Sequence, residues 1–491
     1  MSEDIESQLE VELIKKRAVT GVVTFTLRTF FIQIFTFAAT FLLTILLSPN
    51  IFGIFYVVSA CINFFVYFSD IGLAAALIQK KESPSKADLS TTFTIQHILI
   101  LILITIGLLF SKQISIFYHL DSQGLNLLRV LILSLLFSSL KTIPSIILER
   151  NLNFTKLAIP QIVENVIFYT VAVILALKGF GISSFTWAVF ARGVSGLVTI
   201  YLLSPWTPSL SFNKKSAKHL TSFGLPFQTN SLLALFKDDL LTVFLGKILP
   251  FTEVGYIGWS QKWAFVPLRF FMDNVNKVTF PAYSRLQEHS TDLGKAIEKS
   301  VFFVVFLVYP SIFALFIIAP TAVSIVPHYQ KWQPALPLLY LFGINALFSA
   351  VSTTFTNTLF AIGKPKIVLK FMVFWTTATW VLTIPLVIRF GFLGVGIASA
   401  LIASSSIATI YFVKKNVSIH VSSNIIGPLI ASLSAFLVVQ LAETKLPHNF
   451  FSLIISLTLF SMIYIGLSLS FYRRLLVEDS KSILKNLFSK K

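Results

Sequence analysis

A small group of charged residues lies within stretches of this sequence that are otherwise apolar. The basic members are Arg28, Arg192, Lys237, Lys262 and Arg269, and the acidic members are Glu164, Asp238, Asp239 and Asp273. Arg and Lys bind phosphate and carboxylate groups through charge-assisted hydrogen bonds, and intramembrane carboxylates pair with bases or relay protons. These residue types predict a cavity in which the bases hold an anionic head group. The acids are expected to be ion-coupling or structural partners.

Four charges of one apolar stretch recur at helical spacing. Lys262, Arg269, Asp273 and Lys277 fall at positions i, i+7, i+11 and i+15, and at about 100° per residue they lie within an arc of roughly 80°. Asp273 is four residues from both Arg269 and Lys277, so pairing along the helix is an alternative to ligand binding. For Lys277 the favoured interpretation is that the side chain extends to the membrane surface, and this interpretation is also open for Arg28.

The run FKDD, residues 236–239, is a dense cluster of charges inside an apolar stretch. An ion at the bilayer centre costs roughly 2.5–3.5 kcal/mol on a translocon scale, so these side chains must face protein, water or each other. Two interpretations stay open, since Lys237 either lines a cavity or pairs with a neighbouring Asp. Glu164 is similarly ambiguous, because it could relay protons or form a buried pair.

The composition places these charges in a membrane protein. Of the 491 residues, 55% are hydrophobic and 12% are charged, and the mean hydropathy is +0.81, whereas soluble domains carry about 25% charged residues. Only helices and closed barrels satisfy their backbone groups in hydrocarbon, and these apolar runs do not alternate as barrel strands do. We therefore expect an all-α integral membrane protein. Cys61 is the single cysteine, so no disulfide framework or cysteine metal site is expected.

Fourteen apolar stretches are long enough to cross a bilayer, which takes about 20 residues per helix. They are residues 20–47, 52–79, 90–110, 124–147, 157–177, 183–203, 221–246, 252–280, 300–320, 334–361, 367–388, 393–413, 422–441 and 449–471. Polar residues are most frequent between positions 221 and 284, where the assignment is weakest.

Lys and Arg are distributed unequally among the connecting segments. If the N-terminus is cytoplasmic, the inside segments hold 25 of these residues and the outside segments hold six. A missed helix would reverse the side of every later segment and remove this bias, which is the positive-inside pattern. Both termini are therefore predicted to be cytoplasmic. The formal net charge of +18 then needs no nucleic-acid partner, because the bases form no single patch.

The sequence also repeats itself weakly. The stretch that begins GISSFTWAVF at Gly181 resembles the one that begins GFLGVGIASA at Gly391, and LLSPNIFGIFYVVSA around Gly53 resembles KILPFTEVGYIGWSQ around Gly255. Because each half then holds an even number of spans, the copies share one orientation, which is typical of alternating-access transporters. The predicted organisation is a cytoplasmic segment 1–19, two six-helix bundles 20–205 and 219–413 in parallel pseudo-repeat, two additional helices within 420–471 and a basic cytoplasmic tail 472–491.

Missing motifs narrow the function. The sequence has no GxxxxGK[ST] run, no H-E-x-x-H and no G-x-S-x-G, so neither a nucleotide-driven motor nor a common hydrolase site is indicated. The predicted outside loops are too short to fold a catalytic domain. We expect no enzymatic activity and no bound cofactor or metal, although an H⁺ or Na⁺ gradient could drive the protein.

Several stretches resemble one known family. IKKRAVTGVVTFTLRTFFIQ, FSDIGLAAALIQKKE, DDLLTVFLGKILPFTEVGYIGWSQKW and FPAYSRLQEH are similar to the polysaccharide transporter (Wzx-type oligosaccharide flippase) family. This family is part of the multidrug/oligosaccharidyl-lipid/polysaccharide exporter superfamily. The resemblance covers about residues 14 to 415, and the order and spacing of the stretches agree. The first helix ends in LTILLSP where the family usually has an Arg-containing LARLLGP-like stretch, so no role is transferred for that Arg.

The resemblance implies a flippase with an alternating-access cycle in the bacterial plasma membrane. Its substrate would be a polyprenyl-diphosphate-linked oligosaccharide for O-antigen, capsule or exopolysaccharide synthesis. The expected partners are this lipid-linked substrate and membrane lipids, with polysaccharide assembly proteins as further candidates and the protein itself a monomer. Export of another amphiphile or drug, or a membrane enzyme acting on lipid-linked sugars, are the alternatives.

Overall fold

The computed structural model describes residues 32–69, 71–80, 82–229, 232–444, 447 and 449–488. Within the helices, the description is limited to the backbone at residues 68, 223, 225–229, 232–234, 273, 274, 277 and 473–488. Every regular element in the described part of the chain is helical. The helices are α1 Ile32–Leu46, α2 Pro49–Ser69, α3 Leu73–Gln79, α4 Lys86–Tyr118, α5 Ser122–Arg150, α6 Phe154–Leu177, α7 Ser183–Leu203, α8 Lys214–Thr229, α9 Leu232–Ile248, α10 Phe251–Leu286, α11 Ser290–Ile325, α12 Leu336–Ala361, α13 Pro365–Phe390, α14 Leu393–Ser404, α15 Ala408–Lys414, α16 Ser422–Glu443 and α17 Phe450–Phe488, with 3₁₀ turns at Gln330–Ala335 and Ser405–Ile407.

Eleven helical segments in the described part of the chain are long and apolar enough to cross a membrane. The prediction of an all-α membrane protein is therefore confirmed. Three predicted spans are not among the eleven. The described part of the first span lies in α1, the described residues of the seventh lie in α8 and α9, and the eighth lies within the charge-bearing α10. The count of fourteen stays a prediction.

Helix boundaries follow the internal repeat. Helix α1 ends at Leu46 and α9 at Ile248, while α2 begins at Pro49 and α10 at Phe251, so both boundaries are displaced by 202 residues. Helices α7 and α14 begin 210 residues apart. Each of them follows a glycine with positive φ, 55° at Gly181 and 60° at Gly391. The similarity seen in the sequence is thus also a similarity of local structure.

The chain divides into two compact units, of which the first extends to Gly255 and the second begins at Tyr256. Helices α8 and α9 precede this boundary, and they pack against α3 and α2 respectively. The bundle limits expected from the sequence, 20–205 and 219–413, stay a prediction.

The core of the second unit is built around α11. This helix packs against α12, α16 and α17, and its side chains Val301, Val305 and Ile312 are fully buried. Tyr464 of α17 donates a hydrogen bond to the Phe306 carbonyl at 2.7 Å. The two C-terminal helices are therefore integrated into the core of this unit. Beyond the bend at Tyr472, α17 continues to Phe488.

In the first unit, one arginine fixes the connection between α3 and α4. The guanidinium of Arg150 donates hydrogen bonds to the carbonyl oxygens of Leu77, Ile78, Lys80 and Glu82, at 2.6–3.1 Å. These carbonyls include helix-end acceptors that have no partner within α3 itself. Arg150 thereby anchors the end of α5 against this connection.

The start of α4 is closed by a capping box. The Ser85 hydroxyl accepts from the Asp88 backbone, and the Asp88 carboxylate accepts from the Ser85 backbone. Lys80 adds an ion pair with Asp88 at 2.7 Å. This reciprocal arrangement satisfies two otherwise unpaired donors of the first turn. It holds α4 in place as one wall of the cavity described next.

Candidate functional site

The first unit contains a cavity of about 710 Å³. Helices α2 to α7 contribute its walls, which combine aliphatic side chains such as Ile100 and Leu135 with polar ones. The polar lining residues are Tyr67, Ser69, Gln96, Ser138, Ser139, Lys141, Thr142, Ser145, Glu149, Gln161, Glu164 and Arg192. A cavity of this size, with few charges and many hydroxyl and amide groups, is suited to a small polar ligand or to part of a larger one.

Helix α5 supplies a polar stripe along this cavity. Ser138, Lys141, Thr142, Ser145 and Glu149 all line it, and their spacing of three and four residues places them on one helix face. By the predicted topology, the stripe extends from the membrane interior toward the cytoplasmic end of α5. The stripe therefore gives the cavity a continuous row of hydrogen-bonding groups.

The charged centre of the cavity is Glu164 on α6. Its carboxylate forms an ion pair with the Lys141 ammonium of α5 at 2.5 Å, and a second with Nε of Arg192 on α7 at 3.5 Å. Arg192 also lies over the Phe168 ring, 5.9 Å from its centre. Glu164 is 9% exposed. The structure thus brings two predicted site residues together with a lysine that was not predicted.

A glycine creates the space in which this carboxylate lies. A Cβ on Gly196 of α7 would collide with Oε1, Cδ and Cγ of Glu164. Glycine is therefore needed there for a close approach between α6 and α7, and not for an unusual backbone angle. The position of the carboxylate depends on the absence of a side chain on the neighbouring helix.

Gln96 of α4 adds an unsatisfied hydrogen-bonding atom to the cavity wall. Its Nε2 donates to Oγ1 of Thr142 at 3.1 Å, and that hydroxyl donates in turn to the Ser138 carbonyl at 3.3 Å. The residue is 3% exposed, and its Oε1 has no hydrogen-bond partner in the described part of the chain. A buried acceptor without a partner costs about 1–3 kcal/mol. Because this atom has almost no accessible surface, a ligand hydroxyl would reach it only if the amide turned toward the cavity.

The formal charges of this cavity are balanced. Two bases, Lys141 and Arg192, face two acids, Glu149 and Glu164, so this cavity is not net basic. The sequence, by contrast, predicted a cavity in which bases hold an anionic head group. Here both bases already pair with the Glu164 carboxylate. An anion that binds to them would have to compete with this carboxylate.

The FKDD run lies on α9 in the first unit. Asp239 accepts a hydrogen bond from Nδ2 of Asn63 on α2 at 3.0 Å. Lys237 lies 3.8 Å from the carboxylate of Asp238, and both side chains are substantially exposed, by 44% and 66%. A pair this exposed contributes little to stability. Asp239 is therefore part of the α2–α9 contact, while Lys237 and Asp238 remain accessible.

The remaining candidates lie mainly in the second unit. On α10, Lys262 is half-buried and Arg269 is exposed. The side chain of Asp273 falls outside the described part of the structure, as does the whole of Arg28. Whether Arg269 pairs with Asp273 therefore stays a prediction. Among the residues that the structure describes, no three or more His, Cys, Asp or Glu side chains are grouped so as to bind a metal ion.

One signal in the sequence could have identified Lys141. It is a basic residue inside a predicted span, 124–147, and it begins the motif KTIPS. Its position near the predicted cytoplasmic end made an extended, surface-seeking side chain the simpler expectation. The serines and threonine at helical spacing around it mark a polar face, and this pattern distinguishes Lys141 from a residue at the membrane surface.

The family described as "Polysaccharide biosynthesis protein" matches residues 42–337, more than half of the chain. The chain belongs to this family. Among its curated relatives is the succinoglycan biosynthesis transport protein ExoT of Rhizobium meliloti, 22% identical over 320 residues, which are 65% of this chain and 64% of ExoT. The lipopolysaccharide biosynthesis protein WzxC of Escherichia coli is 22% identical over 324 residues, 63% of this chain and 62% of WzxC. The chain therefore matches less than two thirds of the length of either relative.

Solved structures show the fold of this polysaccharide biosynthesis protein. The lipid II flippase MurJ, in an inward closed conformation, superposes with a TM-score of 0.75 at 16% identity, covering 92% of this chain and all of MurJ (100%). An inward-facing multidrug resistance MATE transporter gives a TM-score of 0.57 at 14% identity, covering 77% of this chain and 94% of the transporter. At these identities the likeness shows the fold alone.

Proposed function

We propose that this protein is a flippase that moves polyprenyl-diphosphate-linked oligosaccharides across the bacterial plasma membrane for surface polysaccharide synthesis. The observation that carries the proposal is the polar cavity within the first unit of a membrane protein from a polysaccharide biosynthesis family. The names of ExoT and WzxC, which refer to succinoglycan and lipopolysaccharide, support the substrate class.

The chemistry of the cavity matches the parts of such a substrate. An oligosaccharide exposes many hydroxyl groups that lose their water partners in a bilayer, at a cost of several kcal/mol for each group left unpaired. The hydroxyls along α5 and the amide of Gln96 offer replacement hydrogen bonds. Lys141 and Arg192 are suited to the diphosphate, because both form charge-assisted bonds with phosphate oxygens. The polyprenyl chain would stay in the lipid.

The transport cycle is proposed to be alternating access, with both termini cytoplasmic and the protein acting as a monomer. The charge bias between predicted inside and outside segments supports this orientation. The MurJ and MATE structures described above have inward conformations of the same fold. A proton or sodium gradient is the proposed energy source, with Glu164, Asp238, Asp239 and Asp273 as candidate coupling groups.

Reconstitution tests the function directly. The purified full-length protein is placed in sealed liposomes with a fluorescent lipid-linked oligosaccharide, and the fraction reaching the opposite leaflet is measured with a membrane-impermeant quencher. Accelerated movement over protein-free liposomes is the expected result. No acceleration with substrates from several polysaccharide pathways would contradict the proposal.

Export of another amphiphile or drug is a second candidate. The carboxylates of Glu149 and Glu164 favour it, since cationic drugs pair with acids. Accumulation of a fluorescent cationic dye in cells with and without the protein separates the two functions.

A membrane enzyme acting on lipid-linked sugars is a third candidate function. Such an enzyme would convert its substrate in detergent, whereas a flippase needs a sealed membrane.

A further inference from the structure

The cations proposed to hold the substrate are both engaged by one internal carboxylate. Glu164 contacts Lys141 at 2.5 Å and Arg192 at 3.5 Å. The Lys141 side chain is 18% exposed and that of Arg192 is 48% exposed, so both are within reach of the cavity. An anion entering this cavity therefore meets bases that are already neutralised in part.

We propose that Glu164 is an internal counter-anion that the substrate's diphosphate displaces from Lys141 and Arg192. This inference rests on the proposed function. Two bases without a counter-charge would be costly in a low-dielectric interior, and Glu164 removes this cost while the cavity holds no substrate. A diphosphate diester carries two negative charges and many acceptor oxygens, so it complements the two bases better than a single carboxylate does.

The surroundings of Glu164 allow such an exchange. The carboxylate is positioned by the close approach at Gly196, and it forms part of a cavity wall instead of a closed core. The side chain can therefore rotate toward the cavity without a movement of α6 or α7. Arg192, which is half exposed and lies over Phe168, keeps donor groups available to an incoming ligand.

A purely structural ion pair would behave differently. Removing one member of a buried pair leaves the other charges uncompensated and destabilises a protein. If Glu164 served only stability, neutralising it would lower the melting temperature without improving anion binding. If it competes with the substrate, neutralising it must increase the affinity for an anion. The direction of the affinity change separates the two roles.

The test measures binding of inorganic pyrophosphate to the full-length protein in nanodiscs of zwitterionic lipid by isothermal titration calorimetry. Glu164→Gln is expected to bind on the order of tenfold more tightly than the wild type, within the usual range for coupling between two ligands. Adding Lys141→Ala to this variant is expected to abolish the gain. A polyprenyl diphosphate incorporated in the nanodiscs, competing with pyrophosphate, distinguishes the lipid head group from the free anion.

Glu149→Gln is the matched control. It removes the same charge from the wall of the same cavity, about 12 Å from Lys141 along α5 at 1.5 Å per residue, and the structure gives Glu149 no ion pair with either base. Its gain in affinity should be much smaller than that of Glu164→Gln. Equal gains in affinity for Glu149→Gln and Glu164→Gln would show that only the overall charge of the cavity matters. That result would overturn the inference.

Gly196→Ala is a second, independent way to separate Glu164 from Lys141 and Arg192. The added methyl group would push the Glu164 carboxylate out of its place beside α7, so tighter pyrophosphate binding is expected although the carboxylate is retained. If neither Glu164→Gln nor Gly196→Ala binds pyrophosphate more tightly than the wild type, the exchange is refuted. Leaflet transfer by the wild-type protein would in that case still support the flippase, whereas its failure alone would refute the proposed function.

Discussion

Gly53 and Gly255 occupy equivalent positions of the internal repeat, and each packs against the first residue of the other's helix. A Cβ on Gly53 would collide with the Phe251 carbonyl, and a Cβ on Gly255 would collide with the Pro49 carbonyl. Pro49 and Phe251 begin α2 and α10, so the contact is reciprocal. The sequence repeat is thereby expressed as a self-complementary contact.

We expect Gly53→Ala and Gly255→Ala to destabilise the protein by about 1–3 kcal/mol each, because backbone atoms leave no room for the added methyl group. The measurement is the melting temperature of the purified protein in detergent. Gly466→Ala in α17 is the control, since a Cβ there would meet no atom within 4 Å. An equal loss in all three variants would show that the close approach is not the cause.

Lys141→Ala is expected to abolish leaflet transfer, because it removes a base from the proposed diphosphate site and leaves Glu164 with the more distant Arg192. Breaking such a pair costs about 3–5 kcal/mol when it is buried, so the amount of inserted protein must be measured alongside transfer. Arg129→Ala is the control. Arg129 is a base on the same helix, but its Nε donates a hydrogen bond to the Ser111 hydroxyl at 3.3 Å. It does not line the cavity.

Gln96→Leu should separate function from stability. The substitution removes a buried acceptor that has no partner in the described structure, so the melting temperature should be unchanged or higher. Transfer of a lipid-linked oligosaccharide should nevertheless decrease, because a hydrogen bond to the sugar is lost. Undiminished transfer by a stable Gln96→Leu protein would exclude this amide from substrate recognition.

Arg150→Ala should loosen the connection between α3 and α4, since four carbonyl oxygens lose a charged donor. Hydrogen bonds to a charged group contribute about 1.5–3 kcal/mol. The expected result is faster protease cleavage between residues 79 and 86, measured in inside-out membrane vesicles. Arg150→Lys should restore only part of the protection, because a lysine lacks the planar fork. Equal cleavage in wild type and Arg150→Ala would contradict the anchoring role.

Neutralising Lys262 or Arg269 is expected to abolish export while the protein still inserts. Both lie on the same face of α10, where Lys262 is half-buried and Arg269 exposed, so each has access to a polar ligand. The measurement is complementation of a flippase-deficient strain, with membrane abundance determined by immunoblotting. Full complementation by both Ala variants would exclude these residues from the substrate path.

The candidate site was only partly predictable from the sequence. Arg192 and Glu164 stood out because charges are rare in apolar stretches, and the structure places them in one cavity. Their mutual pairing could not be read from the chain, since 28 residues and a helix–helix connection separate them. Lys141 was missed because its place near the predicted cytoplasmic end suggested a side chain that extends to the membrane surface, and Gln96 because its hydrogen bond to Thr142 joins two different helices.

The sequence by itself determined the membrane environment, the all-helical class and the internal repeat, because these follow from hydropathy, backbone hydrogen bonding and similarity along one chain. Tertiary structure decided which charges meet. The pairing of Glu164 with Lys141 depends on how closely α5, α6 and α7 approach, and that approach is permitted by Gly196. Helix faces can be predicted from periodicity, but the rotation and spacing of packed helices result from side-chain fit across the whole bundle.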